Sequence, residues 1–192
     1  MTRAFLLILA LAAAGCGGKS SAATTGPTPP PSDRTFLSFT VEAGFGLPAG
    51  RSMELTPDNA TFSGFASITG PGFANSVQVT ARDGTGATWG LWLAAPQDRQ
   101  LVAGRYANAA NAIQRAAEIP GLTFWNTTIG GCPPATGEFT VLEATFGSAI
   151  GAGLPIDRLH ATFEQRCMLN GQLVSAVKGE INIPRRLSTT ER

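Results

Sequence analysis

Between Leu159 and Ile183 the chain alternates apolar and polar residues with a period of two, broken at Asn170-Gly171. Successive side chains of a strand point to opposite faces, so the pattern is that of two half-buried strands. Asn-Gly is the pair that a two-residue hairpin turn favours, because both positions need positive φ. On the first strand Leu159, Ala161, Phe163 and Cys167 share the inward face, and His160, Thr162, Glu164 and Arg166 the outward one. On the second, Leu173, Val177, Ile181 and Ile183 are predicted to face in, with Lys178, Glu180 and Asn182 out.

The same period recurs upstream, beginning with Leu37, Phe39 and Val41 on one side of a first strand. Further strands are predicted over 51–56, 60–69, 76–83, 88–94, 101–106, 122–126 and 137–146. Turn residues lie between them, as in Gly70-Pro71-Gly72, Asp83-Gly84, Pro96-Gln97-Asp98 and Pro120-Gly121. About ten strands with short connections predict an all-β domain, an antiparallel two-sheet β-sandwich of jelly-roll type. Within 139–146 the parity breaks: Phe139 and Val141 fall on one side, Leu142, Ala144 and Phe146 on the other. That segment is either buried on both faces or bulged. The Ala-rich 107–119 either forms a helical turn or stays irregular.

At the other end, Arg3 precedes an apolar run from Ala4 to Ala14, followed by Gly15 and Cys16. One positive charge, a short apolar core and small residues before a cut site are the pattern of an export signal, and the run is too short to span a bilayer. Ala13-Ala14-Gly15-Cys16 resembles the lipobox of bacterial lipoproteins, although Ala13 stands where that family usually has Leu. The resemblance implies cleavage before Cys16 and lipidation of its thiol and amine, a membrane anchor of acyl chains. Gly17 in place of the Asp that retains such proteins implies an outer-membrane address. Ordinary secretory cleavage is the alternative. Residues 17–34 are small, polar and Pro-rich, with Pro29-Pro30-Pro31 at their end, and read as a tether reaching on the order of 55 Å. The expected organisation is a signal peptide over 1–15, a lipidated Cys and tether over 16–34, a β-sandwich over 35–185 and a polar tail over 186–192.

The formal charge is +1 and charged residues make up 14% of the 192, with no basic block, so nothing in the chain marks a nucleic-acid partner. Of three cysteines, Cys16 goes to lipid, which leaves Cys132 and Cys167 in a chain bound for an oxidising compartment. A disulfide between them is expected, closing a loop of about 35 residues and worth roughly 3 to 4 kcal/mol in the chain-entropy account. One His is too few for a zinc site beside two Cys, and no cofactor or metal is expected.

From Trp89 onward a series of short runs is familiar: Trp89-Gly90-Leu91, Gly104-Arg105-Tyr106, Gly131-Cys132, Gly137-Glu138-Phe139-Thr140-Val141 and Phe163-Glu164-Gln165-Arg166-Cys167. They resemble a β-rich domain of exported bacterial proteins of uncharacterised function, over about half of the chain. In those proteins two cysteines occupy the places of Cys132 and Cys167, so the resemblance implies the same bridge. It implies no activity and no catalytic residue.

No catalytic residue is assigned from the residues either, and the chain reads as a non-enzyme. His160 is the sole His and lies on a polar strand face three residues after Asp157, with no Gly-x-Ser-x-Gly turn to supply a serine. Glu138 and Glu143 fall on one strand with opposite parity. A hydrolase would need a concave pocket holding His160, Asp157 or a carboxylate pair. Binding is the better class. Trp89 and Trp92 are three apart on a strand and must face opposite ways, Trp89 inward and Trp92 outward between the small residues Gly90 and Ala94. An outward Trp flanked by small neighbours is a flat platform for a sugar ring or an apolar partner, to which Trp125 and Tyr106 are candidates to add. The plainer and preferred reading is that a loop covers Trp92, with the Ala-rich 107–119 as the candidate. The expected partners are the membrane, through the anchor, and a glycan or an envelope protein. Three functions follow in order: a tethered binding module, a structural envelope component docking on another protein, and a hydrolase.

Overall fold

The computed structural model describes residues 33–43, 47–68, 74–128, 136–148 and 153–187. Pro31–Arg192 form one compact unit. Ten strands run through the described residues: β1 (Phe36–Val41), β2 (Arg51–Leu55), β3 (Ala60–Ile68), β4 (Ala74–Asp83), β5 (Thr88–Ala94), β6 (Gly104–Ala110), β7 (Gly121–Asn126), β8 (Thr136–Phe146), β9 (Ile156–Leu169) and β10 (Gln172–Ile183). The described residues include no helix.

All ten strands belong to one sheet, in the order β2-β1-β10-β9-β8-β6-β7-β5-β4-β3, so the predicted two-sheet antiparallel sandwich is corrected to a single sheet. It is also mixed, because β6 meets β7 in parallel through the single pair Ala110 and Gly121. The sheet curls nearly into a barrel, and the chain dictates the closure. Its two edge strands, β2 and β3, are consecutive in sequence and joined by a tight turn, in which the backbone N–H groups of Asn59 and Ala60 donate to the Thr56 carbonyl. The Asn59 side chain stitches the same corner by accepting from Thr56 N at 2.8 Å and donating to Glu54 O at 3.0 Å. Ala66 of β3 then exchanges two backbone hydrogen bonds with Leu154, just before β9. Sandwich and barrel both give each strand one inward face, so alternation alone does not separate them.

Curling brings strands distant in the sheet order together around one core. The Phe39 ring on β1 lies 4.7 Å from Trp89 on β5 and 4.9 Å from Phe124 on β7, and Phe124 in turn lies 5.4 Å from Phe163 on β9. Leu37, Leu91, Leu122, Leu159 and Ile181 fill the space beside these rings and are all but inaccessible to water. Leu187, expected in the polar tail, packs on the same core, and Arg186 pairs with Asp157 at 2.6 Å.

β9 and β10 form the predicted hairpin, with Asn170 at φ 51° and Gly171 at φ 77°, the left-handed pair such a turn requires. Leu173, predicted inward, is corrected: it is 51% exposed. A register shift between Ser175 and Val177 breaks the parity of β10. Among the described residues, strand pairing on the two sides of the hairpin ends at Val177 for β1 and at Arg166 for β8. The parity break in β8 is a bulge between Val141 and Glu143, which turns Leu142 outward at 40% exposure. Residues 107–110 continue β6 past a bulge at which Asn108 adopts φ 55°, and 111–120 are turns.

Candidate functional site

The outer surface of the sheet divides into two stretches of different chemistry. Over β3, β4, β5 and β7 the registers align the outward residues in rows: Ser63, Thr80, Gly90 and Trp125 in one, and Phe65, Gln78, Trp92 and Thr123 in the next. A third row, Ser67, Ser76, Ala94 and Gly121, is made of small residues, of which Ser76, Ala94 and Gly121 are buried. None of these twelve positions carries a charge. Gly90 shapes the patch, because a Cβ there would fall among Cζ2, Cε2 and Cη2 of Trp125. The indole therefore lies flat on the Gly90 backbone, one face against the sheet and the other turned away from it. Trp92 stands diagonally beside it, half-buried, and Phe65 is 47% exposed two strands further on. Between the rings are neutral hydrogen-bonding groups, including the Ser63 and Thr80 hydroxyls, 2.7 Å apart.

One end of this patch is bounded by the Ala-rich segment. Ala112 N donates to Thr123 Oγ1 at 3.0 Å, and the Arg115 side chain lies over Gly121 with Nη2 donating to Ala95 O at 3.1 Å. Arg115 Nε and Nη1 are buried without a hydrogen bond, and desolvation holds its guanidinium below the usual arginine range. The loop thus rests on Thr123, the cross-strand partner of Trp92, and leaves Trp92 partly open. Arg82 bounds the other end.

Over β10, β9, β8 and β6 the outward face carries ion pairs, set among neutral residues such as Thr140 and Thr162. Arg105 meets Glu138 at 2.6 Å, Arg158 meets Glu143 at 3.0 Å, Arg166 meets Glu164 at 2.8 Å and Lys178 meets Glu42 at 3.2 Å. The hydrogen bond from Arg105 holds Glu138 below the usual carboxylate range, and the one to Glu164 raises Arg166. Exposed pairs of this kind add little stability each. They do give this surface a mosaic of alternating sign. A shallow cavity of about 520 Å³ crosses it, lined by Ser38, Thr40, Ser52, Thr162, Lys178 and Glu180.

The sequence-predicted residues divide accordingly. Trp92 and Trp125 share the neutral face. Tyr106 does not join them: it turns inward, stacks on Phe139 at 4.6 Å and 8°, and its hydroxyl donates to Val102 O at 2.9 Å. Cys167 is buried on the inner face opposite Val174, while Cys16 and Cys132 lie outside the described residues. His160 pairs with Glu180 at 2.7 Å, and Asp157 is taken by Arg186, so the two do not meet as a base and its orienting acid. Glu138 and Glu143, read with opposite parity, both face out, because the bulge at Leu142 restores the phase, and each has its own arginine. No group of three or more metal-ligating side chains occurs among the described residues. Phe65 was not singled out from the sequence, although the signal existed. Phe62 and Phe65 stand three apart on a strand, as Trp89 and Trp92 do, and only Phe62 is buried.

No family model, no curated protein and no solved structure matches the chain.

Proposed function

We propose that the protein is a non-catalytic binding module of the bacterial cell envelope, anchored by lipid on Cys16 at the outer membrane and held off it by the tether of residues 17–34. The binding surface is the neutral outer face of β3, β4, β5 and β7. The observation that carries this reading is the Trp125 indole laid flat on Gly90 beside Trp92 and Phe65 on a face without charge. Large aromatic rings with one side turned outward supply contact area at small entropic cost. A Cys132–Cys167 bridge belongs to the same proposal, supported by the burial of Cys167 on the inner face and by the oxidising compartment that an export signal implies. The test is sedimentation of the protein with purified envelope fragments. Wild type is expected in the pellet and the Trp92→Ala/Trp125→Ala double variant in the supernatant. Equal sedimentation of both, with matched thermal unfolding, would exclude the face as the binding surface.

One observation favours a second reading, a structural component that docks on another envelope protein. The turn end of the β9–β10 hairpin exposes Met168 at 42%, Leu169 at 43% and Leu173 at 51%. Chain entry at Phe36 lies at the opposite end of the sheet, since Phe36 pairs with Asn182. Under this reading a Met168→Ser/Leu173→Ser variant, not the Trp pair, loses sedimentation.

A further inference from the structure

We infer that the neutral face takes an uncharged glycan chain, laid across the strands from Trp125 through Trp92 to Phe65. The inference rests on the binding-module reading and narrows it to one ligand chemistry.

A pyranose ring presents a face of C–H groups and a rim of neutral hydroxyls. The first matches an indole lying flat, and the second matches amide and hydroxyl groups set between the rings. Both are present. Trp125 turns one indole face away from Gly90, and Thr80 and Ser63 continue its row. Gln78 sits between Trp92 and Phe65 on the next row. Thr123 accepts its hydrogen bond from Ala112 N, so its O–H is left to donate. Register fixes the spacing: Trp92 and Trp125 are diagonal neighbours, about 7–8 Å apart. Phe65 lies two strands from Trp92, about 9–10 Å away. Three rings so placed mark a path for a chain of several sugars, not a pocket for one.

Charge decides between glycan classes. Among the described residues no carboxylate stands in the three rows to meet a basic ligand. Arg115, the nearest cation at the Gly121 end, is committed to Ala95 O, with its remaining nitrogens covered. Within the rows an acidic polymer meets no cation to compensate its desolvation; the exposed Arg82 lies one row beyond Thr80, and its pull is what the salt series reads. The paired charges are all on the other part of the sheet.

The experiment is affinity electrophoresis of the exported, folded protein through gels containing hydroxyethylcellulose, glucomannan or polygalacturonate. Retardation by at least one of the two neutral polymers is expected, unchanged at about 1 M salt, where the screening length falls to about 3 Å. Trp92→Leu keeps an apolar side chain but removes the flat ring and is expected to weaken binding at least about tenfold. Trp125→Phe and Phe65→Ala are expected to weaken it less. Retardation by polygalacturonate alone, lost in salt, overturns the inference, and so does retardation by none of the three. Those failures remain distinct from failure of the wider reading, because Trp92-dependent sedimentation with envelope fragments would survive them.

Discussion

The Gln165 side chain holds the backbone of Phe124 through two hydrogen bonds, accepting from Phe124 N at 2.6 Å and donating to Phe124 O at 3.2 Å, all of it buried. The amide acts here as a piece of strand. β7 pairs along its length with β5, but on its other side it meets β6 at one residue pair only. The peptide groups facing that gap need partners, and Gln165, reaching inward from β9, supplies one donor and one acceptor.

Replacing Gln165 by Leu keeps the volume and leaves Phe124 N and O without these bonds in a dry interior. At about 1–3 kcal/mol for each buried polar group left unpaired, Gln165→Leu is expected to cost roughly 2–5 kcal/mol in urea unfolding with little change in m. A cost below about 1 kcal/mol would show that β7 finds other partners.

Asp83 ends β4 and caps the turn to β5. Its Oδ1 accepts from Thr85 N at 2.9 Å and Thr85 Oγ1 at 2.6 Å, and its Oδ2 from the core residue Trp89 through Nε1 at 3.1 Å. Desolvation pushes its pKa up, but the hydrogen bonds from Thr85, Trp89 and the Ala87 backbone outweigh it and hold the group below the usual carboxylate range. A carboxylate depressed in the folded state contributes stability that is present above its unfolded pKa and lost as pH falls through the folded one. Acid unfolding of the wild type is therefore expected to steepen below about pH 4. Asp83→Asn should lower stability at neutral pH and flatten that acid limb, as checked by thermal unfolding across pH. An unchanged limb would assign it to other carboxylates.

The proposed Cys132–Cys167 bridge makes a prediction on the same protein. Reduction, or Cys167→Ser, is expected to cost roughly 3 to 4 kcal/mol of stability, the closure entropy of a loop of about 35 residues. Free thiols titrated after denaturation should be absent from the non-reduced, mature domain. Two reactive thiols without reductant would rule the bridge out.

What was legible followed from local rules. The β9–β10 hairpin was readable because alternation on both sides and Asn170-Gly171 between them agree. The β8 bulge announced itself as a parity break after Val141. The outward aim of Trp92 and Trp125 follows from the burial of Leu91, Leu93, Leu122 and Phe124 around them. Closure was not legible, because inward alternation says that a strand has one wet face and not which strand lies across the core. The meeting of Phe39 with Trp89, and the parallel touch of Ala110 on Gly121, are long-range facts of that kind. Tyr106 was misplaced for a local reason: with Asn108 in a left-handed bulge, the face of β6 could not be taken from the Ala-rich run after it.

The fit of Trp125 on Gly90 supplies the last prediction and separates packing from recognition. Gly90→Ala puts a methyl group where the indole lies, so the ring must lift from the sheet. Overpacking of this sort costs typically 1–3 kcal/mol, and the same variant is expected to weaken glycan binding because the platform is no longer flat. In a Trp125→Ala background the clash is gone. Gly90→Ala should then be neutral or stabilising by up to about 1 kcal/mol, since alanine restricts the unfolded chain more than glycine does. The double-mutant cycle is thus expected to give a coupling of about 1–4 kcal/mol, the size seen for residues in contact. Additive effects would mean that the indole does not rest on Gly90 in solution, and the platform would lose its geometric basis.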